Sequence, residues 1–298
     1  MAWTQTLLLV DGHAYAYRSF HAIRGLTSPT GLPTNAIYGF IKTIHKLRAD
    51  LRPTHLAVVW DGGLAAERMD LLPQYKANRP PMPADLEAQM DGMVAWLDAS
   101  GIASVREDDV EADDRIASLA RGAARGGFGV VIASSDKDFM QLVSPQICLF
   151  NPNDPRGKLW TSDEVRAKAG VSPDQIVDWL SLIGDTVDNI PGVPGVGPKT
   201  STALLQRFGS CDQLYDQLVQ VDSDKLRESL RQSVAAVRRN QQMIRLKDDL
   251  PPTAPLEDLQ PRAQQVERLR DLYGQWGFRS LLETIGGSAG MKQGDLFA

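Results

Sequence analysis

Three short apolar runs, each leading into an aspartate, limit the architectures open to this chain. They occupy residues 7–10 before Asp11, 56–60 before Asp61, and 130–135 before Asp136. Continuous apolar runs of this length are typical of parallel strands that are buried on both faces. Helical patterns separate the runs, which predicts an α/β fold with a doubly wound, mainly parallel sheet.

The spacing of helix signals suggests where the chain divides. One helical pattern follows Asn35, an expected N-cap, and its apolar residues recur up to Leu47. A second region opens near residue 171, where Ser172 and Gln175 have the spacing of a capping box. We therefore expect three segments: an α/β domain at 1–170, an all-helical region at 171–285 and a flexible tail at 286–298.

Acidic residues concentrate where ligands bind in such a sheet, beyond the carboxyl ends of its strands. Helix-start and turn motifs bring the group to nine: Asp11, Asp61, Glu111, Asp113, Asp114, Asp136, Asp138, Asp185 and Asp188. Without balancing cations these acids would raise one another's pKa values, whereas Mg²⁺ or Mn²⁺ would keep them ionised. Each acid alone is equally well explained as a strand-end or helix-cap residue. The joint pattern predicts a divalent metal site.

The overall charge is −5, from 32 basic and 37 acidic residues, and alone it argues against a nucleic-acid partner. That objection weakens if metal ions neutralise the carboxylates, because the remaining surface can then be basic. No apolar run approaches the roughly 18 residues of a membrane span, and no signal peptide is evident. We therefore expect a cytoplasmic protein with no membrane partner.

Other chemistries lack their motifs. Cys148 and Cys211 have no CxxC spacing, so neither a zinc site nor a disulfide framework is indicated. The glycine-rich turn at 191–200 is not a P-loop, because Pro198 separates Gly197 from Lys199. The four histidines lack metal-binding spacing, and no nucleophile elbow supports a serine hydrolase.

Six motifs together resemble the bacterial 5′→3′ exonucleases, or flap endonucleases, a family that includes the N-terminal domain of DNA polymerase I. The motifs are Val10-Asp11-Gly12, Tyr75-Lys76-Ala77-Asn78-Arg79-Pro80, Val110-Glu111-Ala112-Asp113-Asp114, Ser135-Asp136-Lys137-Asp138, Gly184-Asp185-Thr186-Val187-Asp188-Asn189-Ile190-Pro191-Gly192-Val193 and Gly195-Val196-Gly197-Pro198-Lys199-Thr200. The resemblance covers about residues 5–285 and includes all nine acids. It implies a PIN-like sheet, a helical arch at about 73–90 and a DNA-binding helix–three-turn–helix at about 184–208.

The resemblance also implies two bound Mg²⁺ ions, replaceable by Mn²⁺, in a two-metal mechanism of phosphodiester hydrolysis. Asp11, Asp61, Glu111 and Asp113 would lie mainly around one ion, and Asp114, Asp136, Asp138, Asp185 and Asp188 around or near the other. How many of the nine touch metal directly stays open, since carboxylates often act through water.

Basic and aromatic residues acquire roles from the same resemblance. Lys76 and Arg79 would hold the scissile phosphate, Tyr17 and Arg18 would contact the terminal base and its phosphate, and Tyr75 would contact DNA. The residues alone leave open a solvated loop for the first pair and a core position for Tyr17.

The glycine-rich turn resembles the family's helix–three-turn–helix, which binds the duplex backbone without reading bases. Its expected DNA-binding residues are Gly192, Gly195, Gly197, Lys199 and Thr200. In the family this turn also holds a monovalent cation, so K⁺ is an expected ligand.

The last residues carry a separate signal. Gln293-Gly294-Asp295-Leu296-Phe297 looks like the pentapeptide by which bacterial replication proteins dock to the sliding clamp, with Leu296 and Phe297 as apolar anchors and Gln293 as the orienting residue. A frayed apolar terminus is the alternative. The position of the pentapeptide leads us to expect a chain that ends here naturally rather than a fragment of a polymerase.

These observations together predict a stand-alone, monomeric 5′ nuclease acting on DNA flaps, nicks and RNA-primed ends near the nucleoid. Two other functions remain open: a non-catalytic module that binds DNA junctions, and a PIN-type ribonuclease built on the same sheet.

Overall fold

In the computed structural model, which describes residues 3–154 and 156–286, three strands coincide with the apolar runs of the sequence. The strands are β1 (Thr6–Asp11), β2 (His55–Trp60), β3 (Ala103–Arg106), β4 (Gly129–Ala133), β5 (Ile147–Phe150), β6 (Leu159–Trp160), β7 (Gly184–Asp185) and β8 (Ile190–Pro191). All residues of β2 and β4 are buried, as expected for strands covered on both faces.

Helices fill most of the remaining chain. They are α1 (Gly12–Ala22), α2 (Asn35–Leu51), α3 (Ala66–Leu71), α4 (Ala84–Ala99), α5 (Ala112–Arg125), α6 (Ser162–Ala169), α7 (Ile176–Ile183), α8 (Pro198–Phe208), α9 (Cys211–Asp216), α10 (Asp224–Gln232), α11 (Val234–Ile244), α12 (Val266–Trp276) and α13 (Arg279–Gly286). Short 3₁₀ helices lie at Asp138–Leu142, Pro173–Gln175, Leu218–Gln220 and Leu256–Leu259. None of the helices within the described ranges combines the length and apolarity that crossing a membrane would require.

The described residues form two compact units, of which the first comprises 3–60, 81–106 and 252–286. Its strands β1, β2 and β3 lie side by side and are all parallel, with Leu7 of β1 opposite His55 of β2. Aromatic rings fill its core: Phe40 of α2 stacks on Trp60 at 5.7 Å between ring centroids and meets Trp96 of α4 edge-on at 6.3 Å. This unit therefore has the parallel sheet that the apolar runs predict.

Helix α2 begins as expected, but the predicted cap at Asn35 is wrong. Asn35 is the first helical residue, and its side-chain amide donates to the carbonyls of Phe20 and Ile23. The N–H groups of Ala36 and Ile37 are instead accepted by Oε1 of buried Gln89, at 2.8 and 3.2 Å. A side chain from α4 thus satisfies the donors that an N-cap would otherwise take.

The second unit comprises residues 61–80, 107–154 and 156–251. Strand β4 pairs in parallel with β5, and β5 pairs antiparallel with the short β6. Helices α7–α11 make the region after residue 171 helical, as predicted, and the capping box of Ser172 and Gln175 is present. The predicted boundary at residue 170 and the predicted arch remain predictions.

A small antiparallel hairpin, β7 and β8, interrupts this helical region. A Cβ on Gly192 would lie 2.0 Å from the carbonyl oxygen of Ile183, and Gly184 has a left-handed φ of +81°. Only glycine allows the two strands to pack this closely. The hairpin carries two of the nine predicted acids, Asp185 and Asp188.

Candidate active site

A buried acidic residue with many partners, Glu111, directly precedes helix α5 of the second unit. Oε2 of Glu111 accepts from Nζ of Lys76 at 2.5 Å and from the hydroxyl of Tyr75 at 3.1 Å, while Oε1 accepts from the N–H of Ala65 at 3.2 Å. Burial raises the pKa of Glu111, but the charges of Lys76 and Arg68 outweigh it and the net pKa is lowered. Glu111 therefore stays ionised although only 1% of it is exposed.

Asp61 follows β2 directly and reaches the same helix start. Its Oδ1 accepts from the N–H of Ala112 at 2.9 Å, so Asp61 satisfies a free donor in the first turn of α5. Asp113 and Asp114 also lie in that first turn, where the helix dipole favours negative charge. The EADD motif thus gathers acids at one helix end, as its spacing predicts.

Asp114 is held by a side chain that the sequence analysis did not single out. Both of its oxygens accept from the guanidinium of Arg68, at 2.8 Å each, and Oδ1 also accepts from the N–H of Lys247. Arg68 donates further to the carbonyl of Met243 and is itself buried. No sequence motif marks Arg68, because its partners lie far away in the chain.

The turn after β4 carries Asp136 and Asp138. Oδ1 of Asp136 accepts from the N–H of Asp138 at 2.8 Å. Burial raises the pKa of Asp138 well above its usual value, and the neighbouring Asp136 raises it further. Burial likewise raises the pKa of Asp136, with added repulsion from Asp188 and Asp185. The charges of Asp185 and Asp188 therefore act on Asp136 and Asp138 and help to raise the pKa values of these two residues.

The turn between β7 and β8, called here the 185–189 turn, presents its acids to basic side chains. Oδ1 of Asp185 accepts from the N–H of Val187, and Oδ2 pairs with Nζ of Lys137 at 2.8 Å. Asp188 pairs with the guanidinium of Arg79 at 2.5 Å. Lys137 stands between Asp136 and Asp138 in the sequence, so the Asp-Lys-Asp spacing could have identified it as a counter-charge.

Residues 73–80, called here the 73–80 loop, bring Lys76 and Arg79 to these acids. The N–H of Lys76 donates to the carbonyl of Asp188 at 3.0 Å, although the φ of Lys76 is +55°. Burial raises the pKa of Tyr75, reinforced by Glu111 and Asp188, so its hydroxyl remains a donor. Lys76 and Arg79 therefore form direct ion pairs with two of the predicted acids, while their predicted contact with the scissile phosphate stays a prediction.

The carboxylates suit a divalent ion, although several of them pair with lysine or arginine side chains in this structure. Across residues 3–154 and 156–286, no three metal-ligating side chains share a common point at ligand distance. Four acids pair instead with basic residues: Glu111 with Lys76, Asp114 with Arg68, Asp185 with Lys137, and Asp188 with Arg79. Within the same ranges Oδ1 of Asp138 is inaccessible to solvent and has no hydrogen-bond partner. A hard cation would satisfy that oxygen and relieve the repulsion.

Three predicted site residues belong to the first unit. Asp11 ends β1, and its Oδ1 accepts from the N–H of Ala14 to cap α1. Tyr17 stacks on His21 at 6.4 Å between ring centroids and is half-buried, whereas Arg18 is exposed. Tyr17 therefore does not occupy the fully buried core position that was the alternative.

The glycine-rich turn leads into α8, whose second residue is the exposed Lys199. Gly195 has a left-handed φ of +83°, and open space surrounds the Cβ positions of Gly195 and Gly197. Gly192, by contrast, is explained by the packing of β7 and β8. The predicted clamp-binding residues, Gln293, Asp295, Leu296 and Phe297, lie outside the described residues.

Two family models match the chain. The one described as "5'-3' exonuclease, N-terminal resolvase-like domain" matches residues 6–170. The one described as "5'-3' exonuclease, C-terminal SAM fold" matches residues 171–267. The two matches together cover residues 6–267, which include most of each compact unit.

Individual proteins give the same result. The chain is 36% identical to a 5'-3' exonuclease of Aquifex aeolicus, covering 94% of this chain and 95% of that one. It is 35% identical to DNA polymerase I of Bacillus caldotenax over 94% of its own length but only 32% of the polymerase. Across the polymerases compared, the chain spans 28–33% of their length.

A solved structure shares the fold at lower identity. The bacteriophage T5 D15 flap endonuclease, in a complex with DNA and metal ions, superimposes with a TM-score of 0.68 at 20% identity. The alignment covers 95% of this chain and 97% of the phage protein.

Proposed function

Because the chain belongs to the 5′-3′ exonuclease family, we propose that it hydrolyses phosphodiester bonds in DNA at 5′ flaps, nicks and RNA-primed ends. The observation that carries the proposal is that Glu111 at the start of α5, and Asp185 and Asp188 in the 185–189 turn, each pair with a lysine or arginine. A metal-dependent nuclease needs both kinds of charge at one site: carboxylates bind the metal ions, and positively charged side chains bind the phosphate.

We propose that the acids bind two divalent ions, Mg²⁺ or Mn²⁺. Asp136, Asp138, Asp185 and Asp188 suit one ion, because burial and the neighbouring carboxylates raise the pKa values of Asp136 and Asp138, and a divalent cation would offset that repulsion. Asp11, Asp61, Glu111 and Asp113 are proposed for the other. The chemistry that such ions supply when bound is Lewis acidity for the attacking water and the leaving oxygen.

Asp114 takes a supporting position in this proposal. Both of its oxygens are already occupied by the guanidinium of Arg68. Its contribution is to anchor the first turn of α5, on which Glu111 and Asp113 depend for their place.

The basic side chains act on the phosphate. Lys76 and Arg79 are proposed to hold the scissile phosphate once the acids they now face no longer need them as counter-ions. Tyr75 donates to Glu111 and helps to fix that carboxylate. Tyr17 and Arg18 are proposed to contact the 5′ terminal base and its phosphate.

The duplex is proposed to bind at the glycine-rich turn. Lys199 is exposed in the first turn of α8, and the open space around Gly195 and Gly197 allows a phosphate backbone to approach the N–H groups there. Thr200 follows in the same turn. K⁺ binding at this turn is part of the proposal.

The remaining partners are proposals from the sequence. Gln293, Asp295, Leu296 and Phe297 would dock to a sliding clamp, and a monomer acting at the bacterial nucleoid would suffice for the activity. Tethering by the clamp would raise the local concentration of the nuclease at DNA ends.

The proposal is tested by mapping the products formed from three 5′-labelled substrates in Mg²⁺: a double-flap DNA, a blunt duplex and a single-stranded RNA of the flap sequence. We expect cleavage of the double flap at or next to its junction, and much slower reaction of the other two. Binding without cleavage would indicate a junction-binding module. Faster cleavage of the RNA would indicate a PIN-type ribonuclease.

A further inference from the structure

Asn189, the last residue of the 185–189 turn, contacts the 73–80 loop on both sides of Lys76. We propose that Asn189 is a positioning residue, which holds Lys76 in the place where it acts on the scissile phosphate. The inference rests on the proposed nuclease function for its catalytic consequence, but not for its structural one.

The contacts bracket Lys76 in sequence. Nδ2 of Asn189 donates to the carbonyl of Gln74 at 2.7 Å, and Oδ1 accepts from Nδ2 of Asn78 at 3.1 Å. Between these two points the N–H of Lys76 donates to the carbonyl of Asp188 at 3.0 Å. The loop is therefore fixed two residues before Lys76, at Lys76 and two residues after it.

Lys76 needs such support because its backbone is strained. Its φ of +55° lies in the left-handed region, which is unfavourable for a residue with a Cβ. Asn189 has a similar φ of +58°, but asparagine adopts this conformation more readily than most residues. Asn189, which adopts the left-handed conformation readily, thus holds Lys76 in a left-handed conformation that lysine adopts less readily.

The position that results is specific. Nζ of Lys76 lies 2.5 Å from Glu111 and 4.9 Å from the ring centroid of Tyr75, with 9% of the residue exposed. If the loop relaxed, Lys76 would rotate toward an ordinary φ and its amine would move toward solvent.

Arg79 also links the loop to the turn, through its ion pair with Asp188. That side chain is 43% exposed and is itself proposed to bind phosphate, so the ion pair is expected to exchange when DNA binds. The hydrogen bonds of Asn189 involve neither the proposed phosphate ligands nor the proposed metal ligands, so we expect them to be retained when DNA binds.

A kinetic cycle tests the catalytic consequence. Asn189→Gly keeps the left-handed backbone accessible but removes both side-chain hydrogen bonds. Because both hydrogen bonds to the loop are lost, single-turnover cleavage of a saturating 5′ flap should slow about tenfold to thirtyfold, with little change in flap affinity. In a Lys76→Ala background the same substitution should change the rate by less than about twofold. Equal slowing in both backgrounds, or wild-type rates for Asn189→Gly, would overturn the inference.

A second measurement reads the position of Lys76 without any activity. Acetylation of lysines by acetic anhydride, followed by mass spectrometry, should proceed faster at Lys76 in Asn189→Gly than in the wild type, with exposed Lys199 as the internal reference. Asn189→Asp, which retains the acceptor and cannot donate to Gln74, should also expose Lys76. Val187→Ala, in the same turn and 63% exposed, is the matched control and should change nothing.

The cleavage rate tests the nuclease function, and the acetylation of Lys76 tests its positioning by Asn189, so the two hypotheses can fail separately. If the wild type fails to cleave DNA while Asn189→Gly still exposes Lys76, the nuclease proposal fails and the positioning of Lys76 by Asn189 stands. Unchanged acetylation of Lys76 in both Asn189 variants would refute the positioning role, whatever the activity.

Discussion

Lys76 and Glu111 form an ion pair in which 9% and 1% of the two residues are exposed. Burial alone lowers the pKa of Lys76, but Glu111 and Asp188 outweigh it and raise the pKa overall. Glu111 responds in the opposite direction, so each partner keeps the other charged. Taking charges out of water is costly, which makes such a pair weak evidence for stability. The buried ion pair is better explained by the proposed function, in which a metal ion replaces Lys76 as the partner of Glu111 and Lys76 binds the phosphate.

His45 of α2 offers a test of burial at a single residue, far in sequence from the acidic motifs. Burial lowers its pKa to about 4, with Arg48 and Lys42 adding repulsion, and its ring lies 5.4 Å from Trp96. In the unfolded chain His45 is therefore protonated below about pH 6.5, whereas in the folded chain it is protonated only below about pH 4. His45 thus removes stability as the pH falls through this window.

Urea unfolding of the wild type and of His45→Gln at pH 7 and pH 5 measures this effect. The wild type should lose about 1–2 kcal/mol more of its free energy of unfolding between the two values than the variant does. The direction follows from the lowered pKa, because the contribution is complete above the unfolded value. An equal loss in both proteins would show that His45 titrates normally.

At the scale of elements, α3 is fixed to α5 and to the segment after α11 by one side chain. Arg68 of α3 binds both oxygens of Asp114 and donates to the carbonyls of Met243 and Arg245. Asp114 in turn accepts from the N–H of Lys247. Three separate stretches of chain therefore depend on one buried ion pair.

Removing one partner of this pair should be worse than removing both. Arg68→Met leaves Asp114 charged and without its main partner, so we expect a loss of about 3–5 kcal/mol in the free energy of unfolding. The double variant Arg68→Met, Asp114→Leu should recover a large part of that loss. Chemical denaturation of the two single variants and the double variant measures the coupling. Additive losses would contradict a mutually dependent pair.

Local patterns predicted some elements and missed others. The runs that became β1, β2 and β4 are continuous and apolar, and the parallel pairing of β1 with β2 and of β4 with β5 follows from the alternation of strands and helices. Strand β3 has only four residues with alternating burial, and β5 also has four, so neither stands out without its neighbours. The true cap of α2 could not be predicted, because Gln89 lies more than 50 residues away in the chain.

The residues of the candidate site were likewise predicted only in part. The acidic motifs identified the residues that the second unit gathers at the start of α5 and in its two turns. Their counter-charges were found only in part, since Lys76 and Arg79 belong to a motif whereas Arg68 does not. The support that Asn189 gives to Lys76 depends on two left-handed residues in separate segments, and sequence spacing carries no sign of it.

For the whole molecule, the nine acids account for the negative sign of the net charge. Without them the 32 basic residues face 28 acidic ones, so the rest of the chain is positively charged overall. A protein with this distribution can attract DNA if its acids are neutralised by metal ions. The negative total and a nucleic-acid substrate are therefore compatible.

The most direct test of this account is the Mg²⁺ dependence of single-turnover cleavage of a 5′-labelled flap by the wild type and by Asp136→Asn. The wild type should be inactive in EDTA and should release the flap as Mg²⁺ is added. Asp136→Asn should bind the flap as tightly as the wild type in Ca²⁺, yet cleave at least a hundredfold more slowly in Mg²⁺. Cleavage in EDTA, or a wild-type rate for Asp136→Asn, would contradict a catalytic centre built on these carboxylates.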